Sequence, residues 1–110
     1  MWNRYEILGG QFMRTDSLIS KTKCCYVCGT TQNIHLHHIY MGANRNNSDK
    51  IGAWVYLCAY HHNGSSAGVH YNHKLDMELK IKAQEEYEKT HSREEFMKII
   101  KRNLKLSWIT

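Results

Sequence analysis

Apolar and polar positions follow a different period in successive parts of this chain, and the changes of period mark its elements. Residues 1–23 show no firm period and predict an extended or irregular lead-in that ends at "CCYVCG". "NIHLHHIY" sets Ile34 and Leu36 in alternation before turning at His38, the pattern of a short strand whose two faces meet different surroundings. "MGANRNNSDKIG" has the Gly, Asn, Ser and Asp content of a loop, and "AWVYLC" after it is a second strand rich in aromatic and branched residues. The residues after Cys58 predict a short helix ending near "NGSSAG", where glycine and serine break any period.

The last third is helical. Over residues 74–89, Leu75, Leu79, Ala83 and Tyr87 recur every fourth position among charged neighbours, an amphipathic stripe with Asn72 placed to cap it. A second helix opens at Ser92, whose capping-box partner is Glu95, and runs through Phe96, Ile99, Ile100 and Leu104 as its buried face. Lys98, Lys101, Arg102 and Lys105 gather at its far end, either as a solvated face suited to the helix dipole or as a phosphate-contacting patch.

A chain of 110 residues makes one domain with a modest core, so an additional staple would help it. Its 15 basic against 10 acidic residues, with eight histidines besides, favour a polyanionic partner, although a net +5 also serves solubility. No apolar run is long enough to cross a bilayer, and "MWNRYEILGG" lacks the order of a secretory leader, so a cytoplasmic protein is expected.

The cysteines supply the staple. Cys24, Cys25, Cys28 and Cys58 are too unevenly placed for a disulfide framework, since adjacent Cys24 and Cys25 would need partners on different sides. Cys25 and Cys28 instead have the spacing of half a zinc site, and Cys58 with His61 repeats that spacing, so the four would close a structural Cys3His site. His62 in place of His61, and Cys24 in place of Cys25, also satisfy the spacing; a buried, reduced, metal-free cysteine pair is the bland reading. A redox role for Cys25 and Cys28 is disfavoured because no βαβ pattern surrounds them.

"CYVCG", "LHHI", "LCAYHHN" and "GVH" follow one another as in the HNH endonucleases, and residues 25 to about 70 resemble that family, in particular its small zinc-knuckle members of bacteriophages and prophages. The resemblance implies an α+β fold: a ββα-metal (His-Me finger) core with a structural zinc knuckle and a C-terminal helical tail. The single domain would divide into the lead-in 1–23, the knuckle and core 24–73, and a two-helix extension 74–106. It further implies that His37 binds a catalytic divalent ion (Mg2+, Mn2+, Ni2+ or Zn2+) and that His38 is the general base. Hydrolysis of DNA would then leave a 5′-phosphate and a 3′-hydroxyl.

The ion needs further ligands, of which His62 is the best second and His70 the third; His73 competes with His70, Asn63 offers an amide oxygen, and His35 is a neighbour on the face of His37. The chain departs from the family where Ala53 stands in place of the middle Asn that braces the loop of the base, and Asn44, Asn46 or Asn47 are candidates to replace it. Arg45, in the same loop, is a candidate phosphate contact. The expected function is a metal-dependent DNA endonuclease, monomeric or homodimeric, acting in a bacterial host cell. The alternative is a zinc-stabilised DNA- or protein-binding module without cleavage.

Overall fold

In a computed structural model, which describes residues 14–104, two antiparallel strands, β1 (Ile34–His38) and β2 (Trp54–Cys58), form the only sheet among the described residues. The register runs from Ile34 opposite Cys58 to His38 opposite Trp54. Residues facing each other across a ladder share a face. His35 and His37 therefore lie with Leu57 and Val55, while Ile34, Leu36 and His38 lie with Cys58, Tyr56 and Trp54. The protein is α+β, as the alternation and the later helical stripe predict.

The segment between the strands is not the loop its composition predicts. A 3₁₀ turn (Gly42–Asn44) leads into a helix, α1 (Arg45–Ile51). Asn, Ser and Asp are weak helix formers, so α1 draws its stability from tertiary bonds. The hydroxyl of fully buried Ser48 donates to the Tyr40 carbonyl and accepts from the Tyr40 amide, and the Asn44 and Asn47 amides donate to the carbonyls of Ile100 and Ile99. Gly52 ends α1 in the left-handed region at φ 79°, pressed against the Asp16 backbone where no side chain fits.

After β2 comes the short helix expected there, a five-residue turn of π geometry (Tyr60–Gly64) that ends at the glycine of "NGSSAG". Helix α2 (His73–Glu88) follows, with the Asn72 side chain accepting from the Leu75 amide, and buries Leu79, Ala83 and Tyr87. Helix α3 (Arg93–Ile100) begins with the reciprocal Ser92–Glu95 capping box. It stops at Lys101, which adopts φ 67°, so Lys101, Arg102 and Leu104 lie beyond the helix they were expected to extend. Leu104 still reaches the core, its amide donating to the Gln84 side chain at 2.8 Å. Lys105, the end of the 74–106 extension and most of the 1–23 lead-in lie outside the described residues.

One buried cluster joins Val55 and Leu57 to Ile39 and Tyr40, to Leu79, Ala83 and Tyr87 of α2, and to Phe96 and Ile100 of α3. Tyr40 ties it together, its ring edge-on to Phe96 at 5.6 Å and its hydroxyl donating to the Lys80 carbonyl. Residues 14–20 close the outer edge of β2: Ser17 donates to the Trp54 carbonyl, and the Tyr56 amide donates to Ser20. That leaves the outer edge of β1 to the cleft described next. No helix among the described residues is long and apolar enough to cross a membrane.

Candidate metal centres

Cys25, Cys28, Cys58 and His61 converge so that their ligand atoms all lie within 4.8 Å of one another. The turn is shaped by backbone: the Gly29 amide donates to the Cys25 carbonyl at 2.8 Å, with Gly29 at φ 78°, and the Tyr26 amide joins the knuckle to β2 through the Tyr56 carbonyl at 2.9 Å. Cys28 Sγ is 3.8 Å from Cys58 Sγ, and His61 Nδ1 is 3.3 Å from Cys58 Sγ and 3.7 Å from Cys25 Sγ. With zinc–sulfur and zinc–nitrogen bonds of about 2.3 and 2.0–2.1 Å, the edges of a tetrahedron come to about 3.8 Å between sulfurs and about 3.6 Å between sulfur and nitrogen. The spacing fits. The four could hold a metal ion such as zinc.

Burial is the largest influence on the Cys25 thiol and pushes it up, but amide donors of Cys58, Cys28 and Val27 and the Cys28 thiol outweigh it and bring Cys25 down to about 6. Such a thiol is a thiolate at neutral pH, the form that binds metal. Cys24 stays outside, beside the Thr22 hydroxyl at 3.4 Å, so the Cys24 alternative does not match the geometry. Nor does His62, which turns to a second cluster.

That second cluster is His37, His62 and His70, again within 4.8 Å of one another. The π turn separates the two neighbours: His61 goes to the thiols, His62 to the imidazoles. The His70 amide then donates back to the His62 carbonyl at 3.1 Å, a return in which Gly68 packs so closely that a Cβ there would meet that carbonyl oxygen at 2.7 Å. His62 Nε2 and His70 Nε2 stand 3.0 Å apart, a separation that subtends roughly 90° at an ion about 2.0–2.1 Å from each. His62 Nδ1 is fixed by His35 Nδ1 at 2.9 Å, so His35 orients the His62 ring from behind.

His37 carries the strongest mark of a ligand. Its side chain is buried on the sheet, and its Nε2 is the buried side-chain polar atom without a hydrogen-bond partner among the described residues. Burial, then the charges of His62, His70, His38 and Lys80, pushes His37 down to about 3; burial, then His70 and His35, takes His62 to about 4. Both are neutral imidazoles at physiological pH, with lone pairs to offer. His73 falls outside this cluster, whereas His70 lies within it. Asn63 is exposed in the π turn.

A cleft of about 400 Å3 runs from this cluster around the edge of β1 and is lined by Leu36, His37, His38, Met41, Arg45, His62 and His70. His38 and Arg45 thus share one concavity with the three imidazoles. His38 Nε2 lies 3.0 Å from Asp49 Oδ1, and the same oxygen accepts from Arg14 Nε at 2.8 Å. Asp49 and Arg14 were invisible in the sequence pattern because both sit in segments without a period. The brace expected of Asn44, Asn46 or Asn47 comes instead from Ser48, which holds Tyr40, and from the main chain of Ala53, which accepts from the Ile39 amide at 2.9 Å and donates to the Ser48 carbonyl at 2.8 Å. Ala53 is fully buried. Asn44 and Asn47 tie α1 to α3, and Asn46 is exposed.

No protein-family model, curated protein or solved structure gives a match to this chain.

Proposed function

We propose that the chain is a metal-dependent DNA endonuclease of the HNH type, with a ββα-metal core, a structural zinc in the knuckle and a second, catalytic ion in the histidine cluster. The observation that carries this reading is the meeting, in one cleft of a basic chain, of three convergent imidazoles, the orphaned buried Nε2 of His37, and His38 beside them. A divalent ion held by His37, His62 and His70 would polarise the scissile phosphate and stabilise the departing oxygen. His38 takes the proton of the attacking water, the water oxygen bonds to phosphorus, and the bond from phosphorus to the 3′ oxygen breaks. Arg45, exposed at the start of α1 and lining the same cleft, would meet a non-bridging phosphate oxygen, and DNA is the partner that the net charge favours.

Two features depart from the family pattern. The turn that carries His62 has π geometry, and the middle Asn is Ala53, with Ser48 bracing the chain in its stead. Ala53 is also what supports the alternative, a zinc-stabilised binding module. Nicking of supercoiled plasmid with Mg2+, Mn2+, Ni2+ or Zn2+ separates the two readings. Nicking by the wild type that is lost in His38→Ala and His37→Ala is expected; DNA binding without nicking under any of these ions would favour the module.

A further inference from the structure

We propose that Asp49 is a positioning residue for His38, holding it as the Nε2–H tautomer so that Nδ1 carries the lone pair, and that Arg14 clamps Asp49 in that task. This rests on the reading of His38 as the base.

A carboxylate only accepts hydrogen bonds, so the ring nitrogen 3.0 Å from Asp49 Oδ1 must carry a hydrogen. Only Nδ1 is then left with a lone pair for water. An imidazole without such a partner exchanges between tautomers and rotates, and each wrong arrangement removes a base from the reaction. The partner itself is held firmly. The Asp49 side chain is 12% exposed, its carbonyl accepts from the Thr15 amide at 3.0 Å, and the Thr15 hydroxyl donates to the next carbonyl, that of Lys50, at 2.9 Å.

Arg14 donates to the same Oδ1 at 2.8 Å, and its guanidinium lies 6.0 Å from the centre of the Trp54 ring. It gives that oxygen a second, charged donor and so fixes the carboxylate beside His38. The three residues come from the lead-in, the end of β1 and α1, which is why no spacing motif contains them.

The test reads the His38 ring directly. In nitrogen–proton NMR spectra of zinc-loaded protein, His38 is expected with a protonated Nε2 and a bare Nδ1. In Asp49→Asn the single oxygen that Arg14 and His38 share still accepts from both, so the pattern is kept; in Asp49→Ala it becomes a mixture. Plasmid nicking by Asp49→Ala is expected to fall about 10²-fold in kcat and that by Asp49→Asn much less, with KM, bound zinc and melting temperature close to wild type in both. A bare Nε2 in the wild type, or an unchanged tautomer and an unchanged kcat in Asp49→Ala, would overturn the proposal. Absence of nicking by the wild type, with the tautomer still following residue 49, would bring down the endonuclease reading and leave the positioning role standing.

Discussion

Cys58→Ala tests whether the knuckle is held by an ion. The segment Cys25–Gly29 has few other supports: its amides donate from Cys25 to Thr30, from Tyr26 to Tyr56 and from Gly29 to Cys25, and Val27, Cys28 and Gly29 are exposed. Three such bonds at about 1 kcal/mol net each contribute about 3 kcal/mol, and burying the Cys25 side chain adds roughly 1 kcal/mol. Fixing five backbones costs about 5–10 kcal/mol. The segment alone is therefore short by about 1–6 kcal/mol, a gap that a structural zinc site of about 10–16 kcal/mol closes easily. Losing one ligand should reopen it. Elemental analysis of Cys58→Ala should find the tightly held zinc gone, and hydrogen exchange should show the Tyr26 and Gly29 amides unprotected. Cys24→Ala, outside the cluster, should keep both zinc and protection. Protected Tyr26 and Gly29 amides in Cys58→Ala, or in wild type stripped of metal, would refute the reasoning.

Other outcomes follow from the imidazole cluster and the helices. His35→Ala should weaken the exchangeable ion about 10–100-fold in calorimetric titration while leaving the knuckle zinc in place, because His35 only orients His62. Three imidazoles and no carboxylate should make Ni2+ and Zn2+ bind the cluster more tightly than Mg2+ in the same titration. His37 and His62 sit at about 3 and about 4, below the ordinary 6.5, so the unfolded chain takes up protons first as pH falls. The stability their neutrality provides is complete above about pH 6.5 and is lost progressively toward pH 3. Denaturant titrations of metal-free His37→Leu should therefore show a shallower fall between pH 7 and 5 than wild type, the knuckle's own acid sensitivity cancelling in the comparison. Leu79→Ala should destabilise the protein by about 2–5 kcal/mol in the same assay, since Leu79 is fully buried where α2 meets the core.

Much of the fold was readable wherever side-chain spacing itself determines the structure. The stripe Leu75, Leu79, Ala83 and Tyr87, the Asn72 cap and the Ser92–Glu95 box are local devices, and the structure has them all. The convergence of Cys25, Cys28, Cys58 and His61 was readable for the same reason: two side chains three apart on either side of a turn can meet at one point. Helix α1 was not, because Arg45–Ile51 is stabilised by Ser48 and Asn47 reaching Tyr40 and Ile99, partners 8 and 52 residues away. The acceptor of His38 was missed with it, since Asp49 lies on that unpredicted helix and Arg14 in a segment with no period. Leu104 was correctly placed in the core but wrongly on a helix, because burial leaves the same apolar mark whether the backbone is helical or not.

His61 and His62 are consecutive residues of one turn that serve different clusters. An ion in the thiol set would immobilise the peptide unit shared with the imidazole set, so the entropy of ordering that turn would already be spent when a second ion arrived. Thermodynamic linkage makes the effect reciprocal: whatever factor zinc adds to affinity at the imidazoles, an ion at the imidazoles adds to the retention of zinc. On the proposed reading the chain would thus be a two-input binding unit.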